Sequence, residues 1–82
     1  MYTLGPEPLD KDFTLAQLKE RLAGKKRKLK PLLLDQTFVA GIGNIYADEI
    51  LFDAGLHPER EAMTLSPEEI ERLFKSIQKI LQ

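Results

Sequence analysis

Residues 65–82 spell out a helix, with its start and its buried face both legible. Ser66 is suited to cap the amino end, Pro67 fits the first helical position, and Glu69 stands at the capping-box spacing. Leu65 and Ile70 take the positions of a hydrophobic staple across that start. Ile70, Leu73, Phe74, Ile77, Ile80 and Leu81 then recur at helical spacing, giving an apolar stripe that other elements must cover.

Those other elements read as helices too. Thr14 is a second N-cap with Gln17 three residues on, Phe13 and Leu18 form its staple, and Leu15, Leu18 and Leu22 line one face before Gly24 stops the helix. Pro31 suits the first turn of a second helix, with the apolar stretch Leu32–Val39 largely buried and Gly41 ending it. Asn44 is placed to cap a third helix running from Ile45 to about Ala54, with Gly55 just past its end. Ile45, Leu51 and Phe52, flanked by Tyr46 and Ile50, give that helix a broad apolar surface. Leu56–Leu65 reads as a loop around His57-Pro58, and Tyr2–Asp12, with Gly5, Pro6 and Pro8, as an extended lead-in. No segment alternates as a strand does. The expectation is an all-α, compact four-helix domain occupying residues 1–82.

Composition narrows the class. At 82 residues, with 43% hydrophobic and 30% charged residues, the chain has the balance of one small globular domain and not of a disordered segment. It has no Cys, which excludes disulfides and thiolate zinc sites, and its one His argues against any protein-built transition-metal site. No apolar run exceeds three residues and Met1-Tyr2-Thr3 opens no signal peptide, so the location expected is cytoplasmic.

The net charge of −1 conceals an uneven distribution. Lys25-Lys26-Arg27-Lys28-Leu29-Lys30 holds five of the twelve basic residues, leaving seven cations against thirteen acids elsewhere. Binding to a polyanion depends on the local field and not on the mean charge. The plain alternative is a solvated basic loop after a helix.

One stretch downstream gives that run a possible use. In Val39-Ala40-Gly41-Ile42-Gly43-Asn44-Ile45-Tyr46-Ala47, two helices meet at a turn containing two glycines. The first N–H groups of the second helix lack intrahelical partners, and with the helix dipole they form a site for an anion such as phosphate. Glycine lets a bulky phosphodiester approach the main chain, Ile42 anchors the turn in the core, and Asn44 either caps the helix or donates its amide to a phosphate oxygen. Candidate phosphate contacts are therefore Gly41, Gly43, Asn44, Lys30 and the loop bearing Lys25 and Arg27. Such groups read backbone spacing and not base identity. A purely structural turn is the competing reading.

The remaining polar residues read as structural. Asp48 and Glu49 fall where carboxylates complement a helix dipole, Asp35 is suited to accept backbone donors at the neighbouring turn, and His57 to pack in its loop. Phe38, Tyr46, Phe52 and Phe74 fit a core better than a base-stacking platform. No nucleophile–base set or metal-spaced cluster is visible.

Leu4-Gly5-Pro6-Glu7-Pro8-Leu9, Leu33-Leu34-Asp35-Gln36, Gly41-Ile42-Gly43-Asn44-Ile45-Tyr46-Ala47-Asp48-Glu49 and Ala54-Gly55-Leu56-His57-Pro58 resemble bacterial formamidopyrimidine-DNA glycosylase, from Leu4 to about Leu81. The resemblance is to that family's helix–two-turns–helix domain. It implies a base-excision repair enzyme that removes oxidised purines such as 8-oxoguanine and formamidopyrimidines and cleaves the abasic strand by β,δ-elimination. In such enzymes an N-terminal proline amine is the nucleophile, and a zinc finger adds further DNA contacts. It implies that Asn44 contacts a phosphate, that Gly43 lies in the phosphate-binding turn and that Lys30 lies beside the DNA, with Lys25 in a more loosely matched basic loop. The partners implied are double-stranded DNA carrying an oxidised purine or abasic site, together with the β domain and zinc finger of a longer enzyme.

With no Pro-Glu at its amino end and no zinc-finger cysteines, the 82-residue chain is expected to fold, to need no cofactor, and to be catalytically inert alone. The family's zinc belongs to parts not represented here. An RNA-binding helical module and a purely structural domain are the alternatives from other classes. A hydrophobic patch, if left uncovered, would promote self-association.

Overall fold

The computed structural model describes residues 5–82, so Met1–Leu4, including the start of the lead-in, lie outside the described residues. Four α-helices follow one another: α1 (Leu15–Leu22), α2 (Leu29–Leu34), α3 (Asn44–Ala54) and α4 (Pro67–Leu81). A single 3₁₀ turn, Ala62–Thr64, interrupts the loop before α4. The described residues contain no strand, only an isolated bridge between Lys28 and Glu61. The fold is all-α, as the periodicity implies. None of these helices is long and apolar enough to cross a membrane.

The ends that carry strong local signals form where the sequence places them. Thr14 Oγ1 accepts the Gln17 N–H at the start of α1. At α4, Ser66 Oγ accepts the Glu69 N–H while the Glu69 carboxylate accepts the Ser66 N–H, closing a full capping box. Gly55 ends α3 in the left-handed region at φ 71°. Its N–H reaches Phe52 O and the Leu56 N–H reaches Leu51 O, the paired bonds of a Schellman close.

α4 is the centre of the packing. It lies against both α1 and α3, and α3 in turn lies against α2. Leu73 and Ile77 of α4, Leu18 and Leu22 of α1, Leu29, Leu32 and Leu33 of α2, and Ile50 and Leu51 of α3 are all essentially sealed from solvent. Each such side chain stabilises the fold by about 1.5–3 kcal/mol through burial. Polar ties fix the pairing of α3 with α4: Asp53 accepts from Ser76 Oγ at 2.7 Å and Lys79 Nζ at 3.0 Å, and Arg72 Nε donates to Ala54 O at 3.1 Å. The same donors hold the Asp53 carboxyl below its ordinary value, Ser76 first and Lys79 second.

α2 departs from the sequence reading. It starts at Leu29 and ends at Leu34, instead of running through Val39 to Gly41. The start is set from a distance: Arg60 O takes the Leu29 N–H at 2.9 Å and Pro58 O takes the Lys30 N–H at 3.0 Å. The end is set by Asp35. Its Oδ1 accepts from both Thr37 N (2.9 Å) and Thr37 Oγ1 (2.6 Å), and its carbonyl accepts from Phe38 N and Val39 N. An aspartate that satisfies backbone donors two residues on competes with the helix ladder, and here it wins. Residues 35–41 therefore form successive turns, which connect α2 to α3 as helix, two turns, helix.

Candidate nucleic-acid interface

The two turns are braced from three directions. From within, Gln36 Oε1 accepts the Gly41 N–H at 2.8 Å while its Nε2 donates to Leu34 O and Ile42 O. From α1, Arg21 donates to Phe38 O (3.0 Å) and Thr37 O (2.9 Å), with its guanidinium over the Phe38 ring. From the lead-in, Gly5 N donates to Gln36 O at 2.7 Å and Pro6 O accepts the Ala40 N–H at 3.0 Å. A Cβ on Gly5 would come within 2.7 Å of Phe38 and Thr37 backbone atoms, so the close approach demands glycine there. Arg27 adds an ion pair with Asp35. The Thr37 hydroxyl foremost, then Arg27 and the Thr37 N–H, hold the Asp35 carboxyl well below the usual carboxylate range. Asp35 is thus the structural acceptor the sequence suggests.

The two glycines of the turn do different work. Gly41 sits at φ 89°, a conformation that side chains rarely adopt, and its N–H is already taken by Gln36. Gly43 sits at φ −92°, open to any residue, and a Cβ built on it meets nothing within 4 Å. Its lack of a side chain answers no internal need; it leaves the main chain approachable from solvent.

That approach leads to the start of α3. Gly43, not Asn44, is the N-cap, and Asn44 is the first helical residue. The reading of Asn44 as a cap is corrected accordingly. The N–H groups of Gly43, Asn44, Ile45 and Tyr46 donate to no described residue, and all four residues are exposed. The Asn44 carboxamide also makes no hydrogen bond with any described residue, so it stands beside these donors unoccupied by a capping role. Ile42, 1% exposed, anchors the bend below them.

Lys30 reaches this place. Its Nζ pairs with Asp48 Oδ1 at 2.8 Å, one turn along α3 from Asn44. Asp48 does not complement the dipole from the first turn of α3, which contains no acid; it lies one turn further in. Arg27 is one step removed, tied to the turns through Asp35. Lys25 lines a shallow polar cleft with Gln17, Glu20, Arg21 and Phe38 on the α1 side, and no bond among the described residues joins it to the α3 start. The basic segment is not a free loop. Met63 N donates to Lys25 O, and Ala62 N to Arg27 O, both at 2.9 Å, so its backbone is held while Lys25, Lys26, Arg27 and Lys28 remain exposed.

Arg21, Gln36 and Gly5 were not singled out from the sequence as turn braces. A lone Gln inside an apolar run was the available signal. Two aromatic assignments also change: Phe38 is buried and Phe74 packs on Phe13 with ring centroids 5.9 Å apart, but Tyr46 is 47% and Phe52 89% exposed. Ala47, Ile50, Leu51 and Ala54 form the one coherent stripe of α3, and it turns Ile45, Tyr46 and Phe52 outward. His57 is exposed, and its Nδ1 accepts the Glu59 N–H within the loop.

Comparison with known proteins identifies the arrangement. Residues 4–82 match the formamidopyrimidine-DNA glycosylase H2TH domain. The chain belongs to this family. Formamidopyrimidine-DNA glycosylases from Carboxydothermus hydrogenoformans and Desulfitobacterium hafniense are each 58% identical to it, over 99% and 96% of its length. The chain spans 31% and 29% of those two relatives. Among solved structures, Lactococcus lactis Fpg in complex with DNA containing an abasic site superposes with a TM-score of 0.90 at 48% identity, covering 96% of this chain and 29% of that one. The same enzyme bound to DNA containing Fapy-dG gives the same score. Among the described residues of this H2TH domain no three acidic or histidine side chains converge as a metal-ligand set.

Proposed function

We propose that this H2TH domain grips the DNA backbone on behalf of a formamidopyrimidine-DNA glycosylase, an enzyme that excises oxidised purines. The carrying observation is the start of α3: exposed main-chain donors with no described partner, flanked by the Asn44 carboxamide and Lys30 and approached past Gly43. Helix-terminal amides, a neutral donor and a lysine together suit a phosphodiester, and none of them discriminates among bases. The complexes of the Lactococcus lactis enzyme with abasic-site and Fapy-dG DNA support a damaged duplex as the ligand. Arg27 and Lys25 extend the positive field toward flanking phosphates. Asp35 and Asp48 are engaged in turn and ion-pair contacts, which supports positioning and not bond cleavage as this domain's share of the work.

The outward face of α3, with Ile45 72% and Phe52 89% exposed, supports a second element of the reading: other segments of a longer polypeptide cover it. Concentration-dependent self-association of the 82-residue chain, relieved by Phe52→Ser, is the expected sign.

The test of backbone binding is an amide chemical-shift titration with a short DNA duplex. Shifts should centre on residues 43–46 and Lys30, with a dissociation constant on the non-specific scale of about 10⁻⁴ to 10⁻⁶ M that weakens steeply as salt rises. Salt-insensitive binding, shifts away from α3, or preference for structured RNA in competition would reject the reading. Borohydride should trap no adduct between this chain and abasic DNA.

A further inference from the structure

Among the described residues, Lys30 is the only cation of the basic run that ion-pairs with α3. Its partner Asp48 stands four residues after Asn44, so the two side chains share a face of the helix, and side chains on a helix lean toward its N-terminus. The Asp48 carboxylate is therefore directed toward the open donors, where its charge opposes the approach of any anion. It does no other visible work: unlike Asp35 and Glu69, it accepts no backbone hydrogen bond from a described residue. With the pair's side chains 31% and 53% exposed, the contact is one that solvent screens and a competing anion can exchange.

We propose that Asp48 is a built-in competitor for Lys30, occupying the lysine in the free protein and surrendering it to a phosphate when DNA binds. The inference rests on the backbone-binding reading above. It makes Asp48 a positioning residue that lowers affinity. Lys30 is held close to the α3 start, yet part of its electrostatic gain on binding is cancelled because a carboxylate must be left without its partner. The affinity of the site is then set by the difference between two contacts of one lysine.

The test is fluorescence anisotropy of a labelled short duplex bearing an abasic-site analogue, titrated with the 82-residue chain across a salt series. Asp48→Asn should tighten binding about three- to tenfold at low salt. It should also steepen the dependence of log K on log salt by up to about one, the value of one added phosphate contact. Adding Lys30→Gln should remove most of that gain. Unchanged or weaker binding by Asp48→Asn, or a gain that survives Lys30→Gln undiminished, overturns the proposal. Asp48→Ser repeats the test should the amide disturb the helix. Failure of the underlying reading is distinguishable, since wild-type binding would then be insensitive both to salt and to Asn44→Ala.

Discussion

The starts of α3 and α4 are opposite solutions to one problem. Every helix begins with N–H groups that have no partner inside it. At α4 they meet Ser66 and Glu69, and the Glu69 carboxylate is further gripped by both terminal nitrogens of Arg60 at 2.8 Å. At α3 the cap is a glycine with no side chain, and the donors remain open to solvent. The closed start stabilises the fold. The open one leaves a modest stabilisation unmade and its donors facing solvent, as the proposed backbone-binding role requires. What holds α3 in place is its inner stripe and its Schellman close, so its amino end is relieved of that duty.

Five experiments test that division, beginning with the largest effect. Ile50→Ala, at a fully sealed position of the inner stripe, should cost about 2–5 kcal/mol in chemical denaturation. A small loss would mean that α3 is positioned by something other than its buried face. Asn44→Ala should leave stability within about 0.5 kcal/mol yet weaken duplex binding about tenfold or more, by loss of a hydrogen bond to a charged group. Ser66→Ala should do the reverse, costing about 1 kcal/mol of stability with DNA affinity unchanged. If both variants moved both quantities, the contrast between the two starts would collapse.

Acid offers a further handle on the closed start. Arg60 foremost, then the Ser66 N–H, hold the Glu69 carboxyl down to about 2 from an ordinary 4.5. Because the folded value is the lower one, the associated stability is complete above about 4.5 and drains away as pH falls toward about 2. Thermal midpoints followed through that window should decline, and Glu69→Gln should flatten the decline in part, leaving the shares owed to the other lowered carboxyls, Asp35, Asp53 and Glu71. The smallest expected change is the most pointed. Gly43→Ser would supply α3 with the cap it lacks, raising stability by a few tenths of a kcal/mol. Because the new hydroxyl occupies a main-chain donor, DNA affinity should fall. A serine variant that gained stability and bound as well as before would show that those donors take no part in binding.

Legibility followed the range of the interactions. The caps of α1 and α4 and the Schellman close of α3 could be read because each is settled within a few residues: Thr14 with Gln17, Ser66 with Glu69, Gly55 with Phe52. α2 is bounded by less legible means: its first donors are satisfied by Pro58 and Arg60, some thirty residues away, and at its other end the Asp35–Thr37 turn overrides an apolar pattern that would carry the helix on to Val39. The bracing roles of Gln36 and Arg21 carry no local signal either. Their partners are carbonyls and N–H groups of a bend that exists only once α1, α2 and the lead-in have converged. The outward placement of Tyr46 and Phe52 is not legible, because apolar residues surround α3 and composition alone does not tell which side faces α4.

By itself, then, the sequence determined that this chain is helical, one boundary each of α1, α3 and α4, the family to which it is akin, and a set of candidate binding residues in Gly41, Gly43, Asn44, Lys25, Arg27 and Lys30. Tertiary structure alone decided that Gly41 is needed for its backbone angle while Gly43 is not, that Asn44 is released from capping, and that Lys30 pairs with Asp48 one turn into α3. The physical reason is that helix propensity and capping are local free energies. An unsatisfied N–H or a shared lysine is instead defined by what the rest of the fold brings, or fails to bring, within hydrogen-bond reach.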